Sequence, residues 1–194
     1  LRSFDINKPG TKIKNLKGGA IGGSLVQGKF SIGDEIEIKP GILNGKKKSY
    51  EPIQTEIVSL GTGAGTVDNV KPGGLVAIGT KLDPSLSRSD SLLGSVIGKP
   101  GTLPENSTVS KMEINLFDTA VGTQGDTKVT PVQVGELLRV NIGTAPVPAK
   151  VNKAKADEIE IEFRRPVCLF TGGNVALSRR ISERWRLIGA GVVV

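Results

Sequence analysis

The sequence predicts an all-β protein, built as two consecutive antiparallel β-barrels. Three observations carry that expectation. No long window places apolar residues at i, i+3, i+4 and i+7, so the pattern of an amphipathic helix is missing. Short segments instead alternate with a period of two. The cleanest are Asp34-Glu35-Ile36-Glu37-Ile38-Lys39 and Glu158-Ile159-Glu160-Ile161-Glu162-Phe163, in which each strand would bury one face and solvate the other. Finally, the 194 residues include 26 glycines, far above the usual share of about 7%. They have no three-residue period, which excludes collagen and suits turns and strand bends.

In chain order, the strands expected in the first half are 2–6, 20–29, 35–39, 55–60, 75–80 and 95–98. The opening Arg2-Ser3-Phe4-Asp5-Ile6 reads as a strand already under way, which suggests a further domain before it. The second strand is rich in glycine and ends at a turn on Gly28. Residues 35–39 follow the step Ile32-Gly33-Asp34, and 75–80 follow Lys71-Pro72-Gly73-Gly74. The segment GKPGTLPENST (98–108) is rich in Pro, Gly and polar residues and reads as an interdomain linker. The domains are therefore expected at 1–98 and 99–194. In the second, strands are expected at 111–117, 137–142, 147–153, 158–163, 175–182 and 186–194. Two stretches read as solvated loops: 44–49, with three consecutive lysines, and 119–130, rich in Gly, Thr and Asp.

Composition narrows the chemistry. Aromatics are 4% of the chain, so the cores must be built from Val, Ile, Leu and Ala. No stretch approaches the roughly 18 apolar residues that span a bilayer, and there is no signal-peptide pattern, so the expectation is a cytoplasmic protein with no membrane partner. The single cysteine, Cys168, sits in the apolar run PVCLF and reads as a buried, inert thiol. Histidine is absent, which removes the commonest general base and the commonest metal ligand together. No catalytic residue and no metal site are expected. The net charge of +7 favours a polyanionic partner.

The strand carrying Gly18, Gly19, Gly22 and Gly23 is a poor strand unless another backbone or a ligand must come close. Tight glycine corners of a barrel would explain the same residues. Arginine placement is the second feature. Of nine arginines, six lie in the last third, namely Arg164, Arg165, Arg179, Arg180, Arg184 and Arg186, and only Glu183 offsets them between Arg164 and Leu187. Guanidinium forks suit phosphate oxygens. A solvated barrel face, or contacts to a neighbouring domain, would use the same residues. Trp185, beside them, reads as a packing residue. The stretch Gly61-Thr62-Gly63-Ala64-Gly65-Thr66 hints at a nucleotide loop but lacks the third required glycine and a following helix. No Gly-Lys-Ser/Thr phosphate loop occurs. Without histidine, no catalytic triad forms.

Several long motifs in one order carry a resemblance. RSFDINKPG (2–10), KGGAIGGS (17–24), PGGLVAIGTKLDPSLSRSDSLLG (72–94) and ALSRRISERWRLIGAG (176–191) resemble the gamma subunit of archaeal and eukaryotic translation initiation factor 2. The resemblance implies barrels of the translational-GTPase domain 2 and domain 3 type. It implies a tRNA-binding role in an initiation GTPase that carries methionyl initiator tRNA to the small ribosomal subunit. Alpha and beta sister subunits are implied as partners. GTP and magnesium would belong to a GTPase domain missing here, so this chain is expected to have no cofactor and no enzymatic activity of its own. By the same resemblance, Gly18, Gly19, Ala20 and Gly22, with the facing Gly73, Gly74 and Leu75, would contact the aminoacylated tRNA end. The alternatives are the same barrels from an elongation or selenocysteine-specific factor, accessory barrels of a GTPase-linked enzyme subunit that handles no tRNA, or a purely structural barrel protein.

Overall fold

The computed structural model describes residues 1–123 and 127–194. Among them there is no α-helix, and the chain is all-β apart from three single 3-10 turns at Ile13–Asn15, Pro84–Leu86 and Arg88–Asp90. No helix among the described residues is long and apolar enough to cross a membrane. The chain divides into two compact units, Leu1–Leu103 and Pro104–Val194.

Unit 1 contains β1 (Arg2–Phe4), β2 (Ala20–Ser24), β3 (Phe30–Ser31), β4 (Glu35–Asn44), β5 (Ser49–Thr62), β6 (Gly65–Val67), β7 (Asn69–Val70), β8 (Leu75–Thr80) and β9 (Val96–Gly98). Seven of these form one curled sheet in the order β1-β2-β8-β5-β4-β9, with β6 on β5, while β3 and β7 pair separately. The alternation in 35–38 turns Ile36 and Ile38 inward, where they meet Ile21, Phe30, Ile57, Leu60, Val76 and Ile78. Each fully buried aliphatic side chain contributes on the order of 1.5–3 kcal/mol.

Three sequence expectations change here. The strand expected over 20–29 stops at Ser24, the last residue paired with β8, because its partner begins at Leu75 after Gly73 and Gly74, both at positive φ. Residues 25–29 then leave the sheet, with Val26 87% exposed. The strand expected over 35–39 runs on to Asn44 through a bulge between Ile38 and Ile42. Gly41 makes that bulge possible: its φ is +87°, and a methyl there would lie 2.8 Å from Pro52 Cα. Only the tip of the lysine loop, 45–48, lies outside strands, and Asn44 Oδ1 ties it by accepting from Lys46 N (3.0 Å) and Lys47 N (3.2 Å).

Residues 99–103 stay with unit 1 for a physical reason. The side chains of Glu37 and Lys39 are buried under them. Gly101 N donates to Glu37 Oε2 (3.3 Å) and Lys39 Nζ donates to Leu103 O (3.4 Å). Of the 98–108 segment, residues 106–108 already belong to the first strand of unit 2.

Unit 2 contains β10 (Asn106–Val121), β11 (Leu137–Ile142), β12 (Ala145–Ala154), β13 (Glu158–Cys168), β14 (Asn174–Ile181) and β15 (Arg184–Val193). These six close into a barrel in the order β10-β13-β12-β11-β14-β15. Its core is aliphatic apart from Phe163, with Met112, Leu138, Val140, Val147, Val151, Ile159, Ile161, Leu177 and Ile188 at its centre. Cys168 is buried, as its apolar run suggests. Gly189 and Gly191 are required by close packing: a methyl on either would meet the β10 backbone, 2.5 Å from Asn115 O and 2.7 Å from Glu113 O respectively. The described parts of the 119–130 segment, 119–123 and 127–130, are tied by backbone hydrogen bonds rather than free as a solvated loop would be. Ala120 N donates to Thr127 O (2.9 Å) and Val129 N to Asp118 O (3.0 Å). Residues 124–126 of that segment lie outside the described residues.

Candidate functional site

In unit 1 the register builds an outward shelf from small residues. Ile21, Val76 and Ile78 face the core, so their neighbours along each strand face out. Across the sheet these outward residues align in two rows. One row is Arg2–Gly22–Ala77–Gly61, and the other is Phe4–Ala20–Gly79–Ser59. Ser24 pairs with Leu75, which is 75% exposed, and Phe4 is 49% exposed. The result is a floor with almost no side chain, bordered by Phe4, Leu75 and Arg2. Arg2 Nε is held by Asp90 Oδ2 at 2.5 Å.

The glycines of this region differ in why they are glycines. A methyl on Gly18 would lie 2.9 Å from the Thr80 carbonyl carbon and closer still to its oxygen. A methyl on Gly19 would lie 2.7 Å from Ser87 Cβ. Both glycines let β2 and the chain after β8 come together, where Gly19 N donates to Leu82 O (3.0 Å) and Thr80 N to Gly19 O (3.1 Å). Gly22 is another case. A methyl there would find only Val76 O at 3.6 Å and Phe4 at 3.9 Å, which is ordinary contact. Its backbone φ is not positive, so the unit's own packing does not demand glycine. Gly73 and Gly74 face open space, but at φ +139° and +146°, conformations that exclude most L side chains.

The structure therefore separates the seven residues named for this site. Ala20, Gly22 and Leu75 share the shelf. Gly18 and Gly19 lie at the Thr80–Leu82 end of the β2–β8 ribbon, while Gly73 and Gly74 lie beyond its other end. The two pairs therefore lie on opposite sides of the Ala20–Ser24 pairing with β8. The shelf also uses Phe4, Ser59, Gly61, Ala77 and Gly79, which sequence reasoning missed. The register of β5 against β8 brings Ser59 and Gly61 there, and no local pattern announces that pairing.

The six arginines likewise separate. Arg179 is committed within unit 2: Nε donates to Glu136 Oε1 (2.5 Å), Nη1 to Thr130 O (3.0 Å) and Oγ1 (2.9 Å), and Nη2 to Pro131 O (3.4 Å) and Glu136 Oε2 (3.0 Å). With its side chain only 16% exposed, it ties the segment before β11 to the barrel and has no donor left for phosphate. Arg180 pairs with Glu183. Arg184 and Arg164 are exposed, and Arg165 and Arg186 are half-buried. Arg180 lies across from Trp185, and Arg139 sits over the Trp185 ring, 5.6 Å from its centroid. The arginine cluster is thus partly a set of internal ties.

The Gly61–Thr66 stretch is the tip of the β5–β6 hairpin, with Gly61 paired to Thr66 and Thr62 to Gly65. Among the described residues, no three His, Cys, Asp or Glu side chains gather where a metal ion could sit.

Known proteins match this sequence over 99–100% of the chain. The translation initiation factor 2 subunit gamma of Methanocaldococcus jannaschii is 49% identical over 194 residues, covering 99% of this chain and 47% of that protein. Those of Thermococcus onnurineus and Pyrococcus furiosus are each 50% identical over 196 residues, covering all of this chain and 48% and 47% of theirs. The family described as "Initiation factor eIF2 gamma, C terminal" matches residues 108–193. Over its whole length the chain is about half identical to gamma subunits of translation initiation factor 2. It spans about half the length of the curated relatives it matches. The match to the initiation factor 2 gamma C-terminal family falls on unit 2, and the shelf belongs to unit 1.

Proposed function

We propose that this chain acts in translation initiation as the barrel portion of a factor that carries methionyl initiator tRNA to the small ribosomal subunit. Unit 1 receives the aminoacylated 3′ end on the shelf around Gly22, and unit 2 is the third barrel of the parent protein. Alpha and beta subunits are its other partners. GTP and magnesium bind outside these residues, so the chain itself turns over no GTP. The observation that carries the reading is Gly22: its glycine is not required by packing or by φ, which leaves room for an outside group. A bare floor with exposed strand backbone suits a terminal adenosine, and Phe4 and Leu75 at its border suit an apolar amino-acid side chain.

The test joins this chain to the part of the M. jannaschii relative that it does not cover. The chimera is expected to prefer methionyl initiator tRNA over elongator tRNA. Gly22→Val is expected to abolish the gain in affinity that aminoacylation gives, with an unchanged circular dichroism spectrum. Equal affinity for initiator and elongator tRNA refutes the initiation reading in favour of an elongation-type carrier. No tRNA binding at all favours barrels that handle no tRNA.

A further inference from the structure

Between Asp5 and Asp34 the sequence has five lysines and no carboxylate. Four of them, Lys8, Lys12, Lys14 and Lys17, lie in the loop 7–17 that joins β1 to β2. This loop is built rather than loose. Asn7 acts as a staple across its neck: Oδ1 accepts from Lys17 N (2.7 Å) and Nδ2 donates to Lys17 O (2.8 Å). Asp5 Oδ1 fixes the staple by accepting from Asn7 N and Nδ2, both at 2.9 Å. Those bonds, the backbone one first, hold the Asp5 carboxyl below the usual carboxylate range. Inside the loop, Thr11 N and Oγ1 both donate to Lys8 O (3.1 and 2.7 Å), and a 3-10 turn spans Ile13–Asn15. Ends this close and this tied make a compact Ω-loop.

The four ammonium groups are exposed, and none makes a salt bridge among the described residues. Between the loop and the 88–90 turn runs a groove whose lining includes Phe4, Leu16, Lys8 and Arg88. Its two carboxylates are already engaged, Asp5 by Asn7 and Asp90 by Arg2. Free charge of a single sign, on a loop ordered in advance, fits an extended polyanion. Lysines act there as point charges that attract phosphates without reading sequence, and the ordered loop lowers the entropic cost of binding.

We infer that the Lys8–Lys17 loop is a second RNA contact that grips a phosphate backbone. The inference rests on reading unit 1 as an RNA-binding module. It adds a place: the loop leads through Gly18 and Gly19 into β2, at the end of the ribbon where Phe4, Ala20 and Gly79 align. A strand whose terminus lies on the shelf can leave it across this loop and along the groove.

The experiment uses the 194-residue chain. A fluorescein-labelled RNA duplex is titrated at salt concentrations between about 50 and 200 mM for wild type and for the variant Lys8, Lys12, Lys14, Lys17→Gln. Each lost phosphate contact reduces the slope of log K against log salt by about 0.7–0.9. The variant is therefore expected to lose roughly two to four units of slope and at least about tenfold in affinity at low salt. A control, Lys46, Lys47, Lys48→Gln, removes similar charge from another loop and is expected to leave the slope nearly unchanged. Equal losses in both variants would mean net charge alone, and would overturn the site. Unchanged binding in the loop variant, with native circular dichroism, would also overturn it. Loop-dependent binding of an acidic peptide without binding of the duplex would refute RNA as the partner. Gly22→Val tests the shelf separately: it is expected to change aminoacyl discrimination and not the salt slope, so either proposal can fail without the other.

Discussion

Replacing Gly18 and Gly22 by alanine, one at a time, separates glycines that build the fold from a glycine kept for an outside group. At Gly18 the added methyl would sit 2.9 Å from the Thr80 carbonyl carbon and 3.2 Å from Leu82 O. Both obstacles are backbone, and both are locked. Thr80 N and Oγ1 donate to Gly19 O at 3.1 and 2.6 Å, and Gly19 N donates to Leu82 O at 3.0 Å. Relief requires β2 and the end of β8 to separate. Overpacking of this kind costs about 1–3 kcal/mol, and weakening one or two of these hydrogen bonds adds about 1 kcal/mol. A loss of about 2–4 kcal/mol would lower the melting temperature of unit 1 by roughly 8–32 °C, at about 4–8 °C per kcal/mol for a domain of this size. At Gly22 the methyl meets nothing nearer than 3.6 Å. Gly22→Ala should shift stability by less than about 1 kcal/mol, in the stabilising direction if chain entropy decides it. Calorimetry of the chain reads both variants. A Gly18→Ala protein that melts with wild type would refute the packing argument. A Gly22→Ala protein destabilised as much as the Gly18 variant would remove the ground for the shelf.

Arg179→Ala should destabilise unit 2 by about 2–3 kcal/mol in urea unfolding, because it leaves Glu136 half-enclosed without its cation, yet RNA affinity should not change. Trp185→Ala should cost about 0.5–1 kcal/mol from the lost Arg139 contact, and a Trp185→Phe variant should recover part of it. The Asp83 carboxyl is held below its usual range by the backbone N–H of Ser85. Its contribution is therefore full above the unfolded pKa of about 4 and disappears as pH falls through the lowered folded value. Asp83→Asn should flatten the pH dependence of the urea midpoint below about pH 4, and an unchanged profile would show that Asp83 does not couple to folding.

Much of the fold was legible because strands announce themselves locally. The alternation at 158–163 marks which residues turn inward, and those are the buried ones. At 35–39, Ile36 and Ile38 are buried as expected, but Glu37 and Lys39 are buried too, under residues 99–103 that no local pattern places there. What local pattern does not carry is pairing. β5 extends from Ser49 to Thr62, well beyond its alternating centre, because its ends find β4 and β6. The same gap explains the candidate site. A run of glycines looks uniform in sequence, but Gly18 opposes Thr80 while Gly22 opposes Ala77, and only the cross-strand neighbour tells a packing glycine from an open one. Arg179 was misleading for a similar reason, since its partners lie 43 to 49 positions away.

The closed ring of unit 2 also sets an order of events during synthesis. β10 hydrogen-bonds on one side to β13 and on the other to β15, so residues near Met112 wait for Val193 before their second edge is covered. Such distant pairings are slow to form, and unpaired strand edges are prone to association in the meantime. Unit 1 has no such wait on residues beyond 103. A nascent chain that has emerged beyond residue 121 while β15 is still inside the ribosome would therefore display a finished unit 1 and an open, adhesive unit 2, and that interval is when a chaperone would matter most to this chain.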